Sequence, residues 1–183
     1  MGEPKQLLPW GDTTVLGQTL RNLQQSTVDH IVVVSGHEAE KVAAEAAASG
    51  VPVIHNPDYA AGEMLSSLQA AVRRLPPDQD AVLVMLADQP LVRAATIDRL
   101  LAAYRSGQGE LLAPVYGGQR GNPVLIGRPY FAELLALPRG QAPRTLLRRH
   151  RPHLRLVEVD SDAILVDLDR PEEYERHRPG ERE

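Results

Sequence analysis

The sequence predicts an α/β protein: a Rossmann-like, three-layer α/β/α arrangement on a mostly parallel sheet, with a small hairpin insertion. Segment 30–35 is a short β-branched run with Ile31 to Val34 at its centre, and 81–86 is a continuous apolar run of Ala, Val, Leu and Met, as expected of strands covered on both faces. Between such runs, Leu16, Leu20 and Leu23, and later Ile97, Leu100, Leu101 and Tyr104, recur at the spacing that lines one face of a helix. Length supplies a third observation. With 183 residues, 43% of them hydrophobic, the chain can bury one substantial core, and with no internal repeat or linker it reads as a single domain over 1–183.

Taken in order, Asp12 or Thr13 is placed to cap the first helix, and 30–35 is the first buried strand. A helix over 38–49, a short strand over 51–54, a helix through Leu65, Leu68, Val72 and Leu75, and the strong strand over 81–86 follow. The helix bearing Ile97 completes the first half. After Glu110 the pattern changes: a strand over 110–114, a Gly-rich turn over 116–122 and an extended piece over 123–126 read as a hairpin or lid-like insertion. Helices are expected around Phe131, Leu134 and Leu135 and over 144–150. Residues 154–159 alternate polar and apolar, as an edge or antiparallel strand would. An extended piece over 164–168 then leads to a last helix opened by Pro171, and the polar tail over 177–183 is expected to fray.

Composition removes several classes of function. The absence of cysteine excludes a disulfide scaffold, a thiolate metal site and a cysteine nucleophile. A formal charge of −4 leaves no global basic footprint for nucleic acid, and 4% aromatic residues argue against a stacking platform for single strands. No stretch approaches the roughly 20 apolar residues that span a bilayer. The expectation is a soluble, cytoplasmic protein without nucleic-acid or membrane partners, in which any anionic ligand is met by a local site.

Five segments carry chemistry. Lys5 lies beside Pro4 in a loop before the first helix, a placement suited to neutralising a phosphate, although a lysine in an N-terminal arm is ordinarily just solvated. Asp88 follows the strongest strand, pointing toward the crevice where doubly wound sheets bind ligands, and its carboxylate suits Mg²⁺; the ordinary alternative is a capping Asp. Asp167 and Asp169 lie on one side of an extended segment, so both could approach one cation, or could favour the dipole of the next helix. Ser66 and Ser67 are read near a helix N-terminus, as ligands for a phosphate, ribose or base or simply as caps. Arg120, in a Gly-rich turn, could clamp a second phosphorylated substrate or merely decorate the turn. None of the six histidines is taken as a zinc ligand.

In this order and at these distances, the segments MGEPKQLLPWG, NPDYAAGEMLSSLQAA, LADQPLV, APVYGGQRGNPVLI and VDLDRPEEY resemble the molybdenum cofactor cytidylyltransferases and related MobA-like nucleotidyltransferases. The resemblance runs over almost the whole chain. It implies the nucleotide-diphospho-sugar transferase type of Rossmann-like fold, with a nucleotide-binding half over 1–109 and an acceptor-binding half over 110–183. The implied reaction transfers CMP from CTP to molybdenum–molybdopterin and releases pyrophosphate, with positioning and charge neutralisation in place of a covalent nucleophile. By the resemblance, Lys5 holds triphosphate oxygens, Asp88 binds Mg²⁺ with Asp169 or Asp167 as partner, Ser66, Ser67 and Gln89 line the nucleotide, and Arg120, Gly121 and Asn122 face the acceptor. A recipient molybdoenzyme or its chaperone is an implied partner.

Two departures stand out. The family signature opens with an apolar strand and an LAAGxSxR-like loop immediately before the MGxPK segment, and this sequence starts at Met1 without them. That loop brings phosphate donors and the strand is central, so a chain lacking both is expected to be weakened in activity and stability. Asn122 stands where close relatives often carry His in an RGHP-like motif. The alternatives are a related nucleotidyltransferase with another base or acceptor, of guanylyl or sugar-phosphate type, or an inactive truncated fragment acting as a binding module.

Overall fold

The computed structural model describes residues 4–180, and for 61–63 the backbone alone. Met1 to Glu3 of the first motif and the last three residues of the expected tail lie outside the described residues. A turn of 3-10 helix at Lys5–Leu7 leads into a short antiparallel pair, β1 (Pro9–Trp10) and β2 (Thr13–Thr14), joined through Gly11 at φ +60°. This hairpin was not anticipated, and it moves the cap of α1 (Val15–Gln24) to Thr14, whose side chain accepts from the Gly17 N–H at 2.9 Å.

The remaining helices are α2 (Ala39–Ala48), α3 (Tyr59–Val72), α4 (Ala94–Arg105), α5 (Phe131–Ala136), α6 (Arg144–Arg149) and α7 (Pro171–His177). The longer strands are β3 (Val33–Ser35), β4 (Val53–His55), β5 (Ala81–Val84), β6 (Leu111–Tyr116), β8 (Val124–Gly127) and β9 (Leu154–Glu158), with β7 (Gln119–Arg120) closing the hairpin to β6. Helices flank the strands as expected, but the sheet is mixed. β3 pairs parallel with β4, while a second sheet runs β5-β8-β6-β7 through antiparallel pairs and gains β9 parallel to β6. The antiparallel pairs arise because the chain turns back from β6 and inserts β8 between β6 and β5. β9 is an edge strand, as its alternation predicts. The extended piece expected over 164–168 is instead a 3-10 turn, Asp162–Leu165, started by Ser161 accepting from the Ala163 N–H, followed by chain without a strand partner.

β6 is buried at five successive positions, which accounts for its lack of polar alternation. On one side its Leu111 and Ala113 pack with Leu65 and Leu68 of α3 and with Leu134, Leu146 and Leu147 of α5 and α6. On the other, Leu112 packs with Leu100 and Ala103 of α4. β5 is only half-buried despite an all-apolar sequence, because β8 pairs with one of its edges and no described strand pairs with the other. Among the described residues β3 likewise pairs only with β4. A separate cluster of Trp10, Val15, Leu168 and Tyr174 joins the two ends of the chain. No helix among the described residues is long and apolar enough to cross a membrane.

Candidate active site

Three remote segments meet at Lys5. Its ammonium is hydrogen-bonded to the carboxylates of both Asp88 and Asp169. Two carboxylates that bond one nitrogen have oxygens within about 6 Å of each other. The elements that impose this meeting are identifiable. The loop 87–92 is tied to α1 by polar residues buried in that helix: Asn22 Nδ2 donates to the carbonyls of Pro90 and Val92 at 2.8 and 2.9 Å, and Thr19 Oγ1 donates to those of Val15 and Ala87 at 2.9 and 3.4 Å. Asp169 is brought in by α7, where the Tyr174 hydroxyl donates to the Pro9 carbonyl and its ring lies 6.2 Å from that of Trp10. Neither Thr19 nor Asn22 was singled out from the sequence. Their signal is a polar residue on the apolar face of an otherwise amphipathic helix.

Burial of the Lys5 ammonium acts to lower its pKa, but the hydrogen bonds to Asp169 and Asp88 outweigh it and hold the pKa above the usual lysine value, so Lys5 stays charged. The Asp167 pKa is raised as well, which for a carboxyl favours the neutral form. Desolvation raises it, the hydrogen bond from Gln89 Nε2 at 2.8 Å opposes, and the charges of Asp88 and Asp169 add to the rise. Gln89 is 1% exposed, and its Oε1 has no partner among the described residues. Thus Asp88 and Asp169 converge on one point while Asp167 is turned to Gln89. Among the described residues no group of three or more His, Asp or Glu side chains could hold a metal by itself.

Ser66 and Ser67 are not at a helix start. α3 begins at Tyr59, so they sit in its second and third turns, where Asn56 Nδ2 donates to both hydroxyls at 2.8 and 3.1 Å. Ala60, Ala61 and Met64 favour helix, and they extend it N-terminally past Gly62. Asn56 is itself buried and its Oδ1 accepts from the Asp58 N–H at 3.1 Å; the Asn-Pro-Asp turn after β4 was the available signal. Ser67 lines a cavity of about 240 Å³ together with Gln6, Ser35, His37, Tyr59 and Ala87. Gln6 and Ala87 are the chain neighbours of Lys5 and Asp88, so this cavity adjoins the charged cluster.

Arg120 is exposed at the end of the hairpin, whose turn residues Gly117 and Gly118 have φ +56° and +78°. The structure does not bond it to Lys5, Asp88 or Asp169. The two residues after it are fixed by backbone: Gly121 N–H donates to Pro114 O at 3.0 Å and Asn122 N–H to Ile164 O at 3.2 Å. A side chain at Gly121 would collide with the Ile164 carbonyl. The hairpin is therefore docked on the segment that leads into Asp167.

The arrangement offers one retained positive charge between two carboxylates, beside a cavity that sets Ser35, Tyr59 and Ser67 against apolar walls from Leu16, Val33 and Val42. The whole chain is also similar to known proteins. The chain is 27% identical over 175 residues to the molybdenum cofactor cytidylyltransferase of Escherichia coli K12, covering 95% of this chain and 86% of the relative. It is 25% identical over 181 residues to the nicotine blue oxidoreductase of Paenarthrobacter nicotinovorans, covering 94% and 87%. Among solved structures, Rv0371c of Mycobacterium tuberculosis H37Rv, in complex with manganese, superposes with a TM-score of 0.80 at 32% identity, over 96% of this chain and 91% of that one. A nucleotidyl transferase from Methanothermobacter superposes equally well, with a TM-score of 0.80 at 26% identity over 95% and 83%. The family model for the MobA-like NTP transferase domain matches residues 1–154, and the chain belongs to that family.

Proposed function

We propose that this protein transfers CMP from CTP to molybdenum-bound molybdopterin, forming the cytosine dinucleotide and releasing pyrophosphate. The observation that carries the reading is the Lys5 ammonium held between Asp88 and Asp169, from three segments far apart in sequence. In the transfer an oxygen of the acceptor's terminal phosphate attacks the α-phosphorus of CTP. A new P–O bond forms as the bond to the β-phosphate oxygen breaks, and pyrophosphate departs with that electron pair. Lys5, kept protonated by its two carboxylates, neutralises triphosphate oxygens. Ser67 and the cavity beside it receive the nucleoside, with Gln89 and its unpartnered Oε1 nearby. Arg120, Gly121 and Asn122 face the acceptor, so that 1–109 serves the nucleotide and 110–183 the acceptor.

The donor set suits a divalent cation, Mg²⁺ in this reading, held by Asp88 and Asp169. Two hard carboxylates are enough, because Mg²⁺ takes one or two from the protein and completes its shell with phosphate oxygens and water. The manganese in the Rv0371c complex supports a divalent metal in this fold. When bound, the cation adds charge neutralisation at the triphosphate. A recipient molybdoenzyme, or a chaperone that delivers the cofactor to it, is the proposed downstream partner.

The test is incubation of the full-length protein with each nucleoside triphosphate, Mg²⁺ and molybdenum-loaded molybdopterin, with products identified by mass. The cytosine dinucleotide is expected as the main product. A guanine dinucleotide overturns the cytidylyl assignment. Nucleotide transfer only to a sugar phosphate overturns the acceptor.

A further inference from the structure

A second cavity, of about 380 Å³, opens where the start of α4 meets the loop after β9, and it shares no side chain with the Lys5 cluster. That volume lies toward the small end of the roughly 300–1,000 Å³ of ligand pockets. α4 has twelve residues, and its N-cap, Arg93, makes no side-chain capping bond. The N–H groups of Thr96 and Ile97 return to the Arg93 carbonyl at 3.0 and 3.4 Å, which leaves those of Ala94 and Ala95 without a partner among the described residues.

A second, independent observation points to a ligand. Thr96 is nine-tenths buried and lines this cavity, yet its hydroxyl has no hydrogen-bond partner among the described residues. The fully enclosed polar atoms without a partner among the described residues are Gln89 Oε1 and Gln141 Oε1, so the Thr96 hydroxyl is not sealed off and opens on the cavity, where a ligand oxygen can reach it. The charges around it are unequal. Arg99 is neutralised by Asp160, Nη1 to Oδ2 at 2.7 Å, whereas Arg93 is exposed and has no acidic partner among the described residues. Leu91 and the buried Val159 supply apolar wall.

We propose that this cavity binds a small organic anion. Its oxyanion head, a phosphate or a carboxylate, is taken by the N–H groups of Ala94 and Ala95, the Thr96 hydroxyl and the Arg93 guanidinium, and its short apolar body lies against Leu91 and Val159. The uncapped helix end and an unopposed arginine act in the same direction, and the carboxylate of Asp160 is already neutralised. The site stands beside the Asp88 loop, because Leu91 also packs against the Trp10 and Leu168 cluster.

The experiment is titration of the ¹⁵N-labelled full chain with phenyl phosphate, benzoate and the neutral benzyl alcohol, followed by amide chemical shifts. At least one anion is expected to move the Ala94 and Ala95 amides most, the better of the two identifying the head group, and benzyl alcohol is expected to leave them in place. Arg93→Ala should weaken that anion about tenfold, the loss of one charge-assisted contact. Thr96→Val, which keeps the side-chain shape, should weaken it several-fold. Shifts centred on Lys5 and Asp88, equal response to benzyl alcohol, or unchanged affinity in both variants overturn the proposal.

Discussion

The Lys5 cluster and the Arg120 hairpin are both built from polar residues at the rim of the sheet, but they are held in opposite ways. At Lys5 the side chains hold one another: an ammonium joins two carboxylates, and buried Asn22, Thr19 and Gln89 fix the loops that carry them. At the hairpin the backbone does the holding, through Gly121 and Asn122, while the Arg120 side chain extends into solvent. The difference teaches where function and stability should separate. Changes in the first region alter charge placed in advance of the reaction, whereas in the second a glycine governs docking and an arginine governs only what arrives.

The strongest way to break the comparison is Asp88→Asn. Asp88 has a side chain 12% exposed, against 63% for Asp169, so its charge acts where water screens less. Turnover is expected to fall on the order of 10²–10³, the usual cost of one preorganised charge-stabilising group, with a smaller fall in Asp169→Asn. Equal losses in steady-state rates of the two variants would remove the argument from burial. Next in size is Gly121→Ala. The added methyl meets the Ile164 carbonyl, and the strain should destabilise the fold by about 1–3 kcal/mol in chemical denaturation. An unchanged midpoint would mean that the hairpin does not dock as described.

How legible each region was in the sequence follows the same division. Helices and strands were legible, because their apolar pattern is local: α4 is announced by Ile97, Leu100 and Tyr104, and β5 by its unbroken apolar run. Strand pairing was not. β8 inserts between β5 and β6, and nothing within residues 124–127 distinguishes a parallel neighbour from an antiparallel one. At the site, Lys5, Asp88 and Asp169 were legible as types and positions. Their meeting depends on α7 docking through Tyr174 to Pro9, a contact across 165 residues that no local pattern encodes. Ser66 and Ser67 were misplaced because Gly62 reads as a break, whereas the residues around it continue the helix.

Arg120→Ala sharpens the comparison from the hairpin side. The side chain has no ion-pair partner among the described residues and is exposed, so thermal stability should not change. The apparent KM for the acceptor should rise about tenfold, the loss of one charge-assisted contact, with KM for the nucleotide unaltered. A rise in the nucleotide KM instead would move Arg120 to the other half of the site.

The smallest expected effect lies between the two regions, at Asp167. Its carboxyl is held above the ordinary value of 3.8, first by desolvation and then by the charges of Asp88 and Asp169, against the opposing hydrogen bond from Gln89. A raised carboxyl pKa means that the folded protein binds this proton more tightly than the unfolded chain. The contribution is therefore present at low pH, and it is lost as pH climbs through the unfolded value toward the raised folded one. Asp167→Asn mimics the protonated form and keeps an oxygen to accept from Gln89 Nε2. Its stability relative to the natural protein should accordingly grow as pH rises from about 4 and then level off. Because Asp167 is exposed, solvent screening keeps the gain small. Denaturation midpoints of both proteins between pH 3.5 and 8, spanning about four units around the unfolded carboxyl value, check the sign: a variant that becomes relatively less stable with rising pH would mean that Lys5, not the two neighbouring carboxylates, dominates the field at Asp167.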